Sequence, residues 1–471
     1  MIAFLVGLRA EALILARERA VWLALIALAA VTVLSLHAGA ARVSAQTEIA
    51  AAARADETQR IEGLKKDLAR LEAGETQEEP PAYRDPRNAA FMGAGPAARV
   101  AAPVAWPLAL VATGQSDLFP PAVKVTTGSK DSFLFAEEIE NPAHLSIGAT
   151  DLAFVVAYVY PLVILALAFN LLAGEREQGT LAMTLAAARR PGATLGGKFC
   201  ARIAGPIGVI LVTTAVGVAV FAGAGALLDG GFLRLESVIL VYGLFWAALA
   251  AVVDGYGESS AFNALTLIGA WVGIALIAPA AINSLAAFTH PAPSRIDMTL
   301  AARAASTDAD KARDAALARY LEEHPGEKRG GAREGTLRRL ATQEAAFQRV
   351  EGVIAQHDAQ LARQRALADR LGFLSPTLHA YRALADIGGT SEARYRDFLD
   401  RISAFHVEWR AFFLTRAQAG AAMTAIDYDS LPRFGVEGAP GAAILTPILG
   451  VLLPTIALAF AAARRWRRIA L

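Results

Sequence analysis

The chain has 471 residues, of which 55% are apolar and 19% charged, and its formal net charge is +1. A soluble chain of this length is usually about one-quarter charged, so composition argues against a purely soluble protein. The balanced charge offers no basic surface for nucleic acid. Its one cysteine, Cys200, excludes an internal disulfide and the Cys-rich zinc sites. The apolar residues fall in long runs separated by blocks of charge. That pattern predicts an all-α polytopic membrane protein with six transmembrane helices and a large, mainly helical extracytoplasmic domain carrying at most short strands.

In chain order, residues 1–19 read as an amphipathic helix lying in the membrane interface. Leu5, Leu8, Ala12 and Leu15 form one stripe, with Arg9, Glu11 and Glu18 elsewhere. An extension of the first spanning helix would give the same pattern. The first span covers 20–38. Ala38-Gly39-Ala40 resembles a leader-cleavage site, but the apolar run and the stretch before it are both long for a leader, which favours a retained span. Segment 39–150 follows. Ile61, Leu64, Leu68 and Leu71 recur at helical spacing and continue span one as an amphipathic helix. A Pro/Gly-rich stretch from Pro80 to Pro121 is too irregular for one long element, and Val123 to Phe135 suits short strands.

The remaining spans fall at 152–173, 203–228, 235–253, 262–288 and 442–463, with a charged segment at 174–202. Segment 289–441 is polar and helical. Its Leu340, Phe347, Ile354 and Leu361 recur every seven residues, which suits a coiled-coil seam or plain packing inside a globular domain. A basic tail, 464–471, closes the chain. Arg9, Arg17 and Arg19, then Arg176, Arg189, Arg190, Lys198 and Arg202, then Arg464 to Arg468 fall on one side of a six-span layout. The positive-inside rule makes that side, and both termini, cytoplasmic. An inner-membrane location follows as an expectation, with membrane lipid as a partner. Segments 39–150 and 289–441 then lie outside the cytoplasm and are expected to pack together.

Within the spans, Tyr158, Asn170, Asn263 and Thr266 are the candidate lining of a substrate path, with Asn283 also polar. Such residues equally serve to bond neighbouring helices. Pro161, Pro206 and Pro279 fall where they would kink spans.

The most informative stretch is Gly174-Glu175-Arg176-Glu177-Gln178-Gly179-Thr180-Leu181 at the end of span two. It reads as a charged turn with a glycine break, then a short helix capped by Thr180, ending before Pro191. Glu175 and Glu177 are expected to bond Arg176, Arg189, Arg190 or exposed helix-end amides. An ordinary charged loop would have the same composition. The Glu-Arg-Glu-x-Gly-Thr-Leu run, followed by Pro191 and Gly197-Lys198, resembles the type-two family of ABC exporter permeases. The resemblance implies six spans and a coupling helix that meets an ATPase, with Glu175, Arg176, Glu177, Gly179, Thr180, Leu181 and Pro191 as coupling residues. It further implies two copies of a separate ABC ATPase, which bind ATP and magnesium, and a second permease, identical or sister. No cofactor is implied in this chain. Gly114-Gln115-Ser116-Asp117-Leu118-Phe119-Pro120, Lys124-Val125, Glu140-Asn141-Pro142 and Leu374-Ser375-Pro376 resemble one branch of that family. Its members carry a large external domain of unassigned function and are loosely associated with multi-copper enzyme maturation.

Several patterns fail on inspection. Gly192 to Lys198 has phosphate-loop spacing, but Phe199 stands where Ser or Thr must hold magnesium, and no strand precedes it. Gly114 to Leu118 hints at a serine-hydrolase elbow without its final glycine. The histidines are scattered; His37 and His144 flank the membrane with no carboxylate or thiol at ligand spacing, so neither a metal site nor a catalytic residue is expected. Three readings remain open: an exporter permease, a membrane-bound enzyme or assembly factor with its site outside, and a mechanical transducer that moves its external domain without transport.

Overall fold

A computed structural model describes residues 1–75, 79–103, 106–117, 120–128, 150–291, 295–323, 334–435 and 445–470. Among the described residues, six helices are long and apolar enough to cross a membrane. Helix α1 (Ile2–Leu15) precedes them. Helix α2 (Arg19–Glu72) runs for 54 residues without interruption, about 80 Å at the α-helical rise. The sequence permits this because no proline falls between Arg19 and Glu72, and residues 38–55 are rich in alanine, the strongest helix former. Only its first third is the predicted span; the rest leaves the bundle.

Helix α3 (Ala89–Met92) and a two-stranded antiparallel ribbon, β1 (Arg99–Ala101) and β2 (Val123–Val125), follow, with Val100 opposite Lys124. The strand expected over Val123 to Phe135 is β2; residues 129–149 lie outside the described residues, as do Glu140, Asn141, Pro142 and His144. Span two is α4 (Leu152–Glu177), and the short helix α5 (Leu181–Ala187) follows it. Span three, α6 (Pro191–Phe221), begins at Pro191 rather than at 203 and stops short of 228. A 3-10 turn at Ala224–Leu228 leads into α7 (Gly230–Tyr256), whose first turn is capped by Asp229 accepting from the Gly231 amide at 2.7 Å. Span five is α8 (Ser260–Thr289).

Beyond it lie α9 (Arg295–Lys311), α10 (Arg313–Glu323), α11 (Glu334–Leu371), α12 (Pro376–Gly388), α13 (Glu392–Ala419) and α14 (Ala425–Asp429). The last span is α15 (Leu445–Ile469), so Arg464 to Arg468 continue the helix instead of forming a separate tail.

Two cores result. The bundle core joins Leu28 and Leu36 of α2 to Ile164 of α4, Ile210 of α6, and Tyr242 and Trp246 of α7. The bundle's outer side keeps Leu23, Ile26, Val212, Val216, Leu265 and Ile268 exposed, as helices facing hydrocarbon require. The second core lies along the C-terminal part of α2. There Ile61 and Leu68 pack with Val125, Leu340, Ile402, Trp409 and Phe413. Segments 39–150 and 289–441 therefore share one packed unit. Trp409 donates from Nε1 to the Gly93 carbonyl at 3.2 Å, and Arg410 donates to the Thr127 carbonyl at 2.7 Å and to Glu344 at 2.6 Å. Helix α11 folds back along α9, with Val350 and Ile354 packed on Ala302. The seven-residue repeat packs against several helices: Ile354 faces α9, Leu340 lies in the second core, and Phe347 lies beside His406 and Arg410 of α13.

Helix α1 meets α6 through paired glycines. A Cβ at Gly7 would fall 2.1 Å from the Thr194 carbonyl oxygen, and one at Gly197 would fall 2.1 Å from the Phe4 carbonyl oxygen. Backbone touches backbone there, so only glycine fits at both positions. Of the apolar stripe, Leu5 and Ala12 are exposed and Leu8 and Leu15 half-buried, while Gly7 and Glu11 are the buried residues of α1.

Helix α12 departs furthest from expectation. Although it falls within the polar segment 289–441, its Ala380, Ala383, Leu384 and Ile387 belong to the bundle core. Ser375 donates to the Ile274 carbonyl of α8 at 3.0 Å, and Thr377 bonds the Tyr242 hydroxyl of α7 at 2.9 Å. The segment re-enters the bundle level with the middles of α7 and α8. Its polar N-terminus is satisfied by the Ser375 hydroxyl, which accepts from the Leu378 amide at 3.2 Å.

The second core is expected to depend on Trp409, which is fully buried. Trp409→Ala should lower the stability of that unit by about 3–5 kcal/mol, read as faster limited proteolysis within α13 while the bundle, including α12, stays resistant. Unchanged protection would refute the packing.

Candidate functional site

The polar residues of the bundle gather where α4 breaks. Helical geometry stops at Phe169 and Asn170 and restarts at Leu171. Asn170 suits the break because its side chain competes with the helical backbone. A break inside an apolar bundle frees backbone groups that must find partners. Arg202 of α6 donates to the Leu167 carbonyl at 3.2 Å, and Asn263 of α8 donates to the Phe169 carbonyl at 2.9 Å. The carboxylate of Asp254, on α7 and fully buried, accepts from the Leu172 and Ala173 amides at 2.8 and 3.3 Å and from Asn263 at 3.1 Å. Arg202 also donates to Asn170 and, at 2.7 Å, to buried Glu11 of α1. Three helices thus contribute one polar side chain each to the broken fourth, and Glu11 of a further helix, α1, pairs with one of those side chains.

A second layer follows immediately along the chain. Glu175 pairs with Lys198 of α6, both side chains being mostly buried. Arg176 donates to the Gly257 carbonyl in the turn between α7 and α8. Glu177 accepts from the Ser260 amide at 2.7 Å and from its hydroxyl at 2.8 Å, so it closes the N-terminus of α8. The three consecutive charges bind three different elements. Arg176, Arg189 and Arg190 are not the partners of the two glutamates; Lys198 and Ser260 are. The helix-end amide is therefore the correct part of the expectation, on a helix the sequence did not single out.

Gly179 ends this layer with φ +68°, a left-handed angle that side chains disfavour, and open space surrounds it. Its amide donates to the Arg176 carbonyl at 3.0 Å. The Thr180 hydroxyl donates back to the Glu175 carbonyl at 3.3 Å and makes no cap to α5, contrary to the expected cap. Helix α5 then rests on the bundle through Leu181 and Leu185, which pack near Leu195 and Trp466. Its other side is bare: none of its residues is buried, and Met183 is 66% exposed. Pro191 then opens α6, where its missing amide costs nothing. Residues 192–198 are helical, so the phosphate-loop spacing there forms no loop.

The candidate path residues do not gather in one place. Asn170 and Asn263 belong to the layer just described. Tyr158 sits about three turns away along α4, in a π turn at Val155–Val159 with its ring 5.3 Å from Phe154. Thr266 is half-buried on α8. Glu11, Arg202, Asp254 and Ser260 were missed as site residues. For Glu11, Arg202 and Asp254 the signal available was an ionisable residue within or beside an apolar run, which ordinarily marks a paired group; Ser260 gave no such signal. His37 packs at a tilt against Phe221, with 5.5 Å between ring centres. Among the described residues no cluster of three His, Cys, Asp or Glu side chains could hold a metal.

The profile of a family described as "Domain of unknown function (DUF3526)" matches residues 295–437. That stretch runs from α9 through α14 and includes the re-entrant α12, but excludes the polar layers at the end of the bundle. No curated protein matches the chain.

Lys198→Ala should leave the Glu175 carboxylate buried without its cation, at a cost of about 1–3 kcal/mol. Thermal unfolding in detergent should show the loss, and adding Glu175→Ala should return part of it. Additive losses in the double variant would mean the pair does not interact.

Proposed function

We propose that this chain is the membrane-spanning subunit of an ABC-type exporter, driven by a separate ATPase that binds α5. The observation that carries the reading is mechanical. A short helix with a bare face is held at the end of a six-helix bundle, and the residues leading into it are bonded to three other elements. A push on α5 would reach α6, α8 and the α7–α8 turn together through Lys198, Ser260 and Gly257. This chain supplies the docking face and the transmission; ATP and magnesium belong to the partner. Two copies of the ATPase and a second permease, identical or sister, complete the assembly. The likeness of residues 175–181 to type-two exporter permeases supports the same reading.

A second reading has its own support. The 54-residue α2 and the re-entrant α12 both tie the bundle to the outer unit. A subunit that transmits motion to an external domain, with nothing crossing the bilayer, would use both.

Gly179→Val should give a fully expressed, assembled complex whose substrate-stimulated ATPase falls at least about tenfold. The forced left-handed angle costs on the order of 1–3 kcal/mol at the hinge. Normal activity in that variant would reduce the segment to a charged connection. ATP hydrolysis by the purified chain alone would sink the separate-ATPase arrangement.

The proposed orientation puts the outer unit outside the cytoplasm and α5 inside. In a Cys200→Ser background, Tyr83→Cys, exposed on the outer unit, should react with an impermeant maleimide in intact cells. Met183→Cys should react only after lysis. The reverse pattern would invert the topology.

A further inference from the structure

A cavity of about 300 Å³ lies where α2 leaves the bundle, at the small end of the range for ligand sites. Three groups of residues line it: one face of α2, residues between Trp106 and Ser116 with Pro103, Pro120 and Pro121, and the turn from α12 into α13. They are bonded to one another. Gln115 donates its amide to the Thr390 carbonyl at 2.8 Å, and Gln46 of α2 donates to the Ser116 carbonyl at 3.1 Å. The walls are mainly apolar, with Ala50, Trp106 and Phe398 among them.

The charge is one-sided. Arg42, Arg54 and Arg394 line the cavity, and no described lining residue is acidic. Arg42 is held by neutral acceptors: it donates to the Ser116 hydroxyl and to the Ala109 and Ala112 carbonyls at 2.8 and 3.0 Å. Asp117 and Asp151 act on its charge through space. The Asp151 carboxylate already accepts from the Thr113 and Phe154 amides at 2.6 and 2.7 Å. Arg394 lies over the Trp106 ring, 4.6 Å from its centre. Arg42 and Arg394, half-buried against apolar walls, with Arg54 at the exposed rim, raise the local potential and favour an anion. The cavity begins six residues past Leu36, the last core residue of the first span, which places it at the edge of the apolar layer.

We propose that this cavity binds an amphiphile with one anionic head and a short apolar tail. The tail lies against Ala50, Trp106 and Phe398, and the head, a carboxylate or a phosphate, meets Arg54 and Arg394. This inference does not rest on the export reading, since it concerns binding alone and no residue of the polar layers takes part. It gives a role to Gln115, Ser116 and Pro120, whose motif otherwise has none.

The test uses the full chain in nanodiscs of zwitterionic lipid, with radiolabelled decanoate, decyl phosphate and decanol as probes. Saturable binding of one anionic probe per chain is expected, with decanol at least about tenfold weaker. Preference for decanoate assigns a free acid, and preference for decyl phosphate a phosphate headgroup. Ala50→Phe, which fills the cavity, should abolish binding. Arg54→Gln, at an exposed position where folding is not at stake, should weaken the anions about tenfold and leave decanol unchanged. Equal binding of acid and alcohol, binding unaffected by Arg54→Gln, or no saturable binding would overturn the proposal.

Discussion

A backbone cannot end hydrogen bonding inside hydrocarbon, and that constraint organises this bundle. Helix α4 breaks at Asn170, and every polar side chain drawn to the break comes from a different helix. The break and its partners are mutually required. Without Asp254, the Leu172 and Ala173 amides would be orphaned; without those amides, Asp254 would be a bare charge in an apolar interior. The same side chains fix how α1, α6, α7 and α8 stand around α4. The charged run at 175–177 then extends this arrangement to the surface, where α5 hangs from it.

The far end of the molecule is built on a different principle. There the helices meet through aromatic packing around Trp409 and Phe413, and ion pairs such as Arg99 with Glu57 and Arg416 with Asp427 hold the periphery. Helix α2 belongs to both cores, and α12 carries part of the outer segment into the first. Neither half can be displaced as a unit without carrying one of these two helices with it.

The six spans were legible because long apolar runs leave few alternatives. The continuation of α2 beyond the bundle was legible from Ile61, Leu64 and Leu68 for the same reason: period alone suffices when a helix has one buried face. Helix α12 was not. Its thirteen residues are too few to span, and His379, Arg382 and Asp386 give it the composition of a surface helix. Only the slot between α7, α8 and α15 makes it a buried one. The partners of Glu175 and Glu177 were hidden for a related reason. Lys198 is 23 residues from Glu175 and Ser260 is 83 from Glu177, and nothing local selects them over nearer arginines. Asn170 and Asn263 were visible as unusual residues, yet whether they lined a path or joined helices depended on the break, which no local pattern announces.

The place of α12 bears on how the chain is made. It packs between helices synthesised before it, α7 and α8, and one synthesised after it, α15, where its His379 ring fills the space left by Gly450. During translation the slot is open on the α15 side, and α12 cannot be fully enclosed until that final span has entered the membrane. Insertion of α15 therefore completes the enclosure of α12, which until then is held to the bundle by its bonds from Thr377 to Tyr242 and from Ser375 to the Ile274 carbonyl.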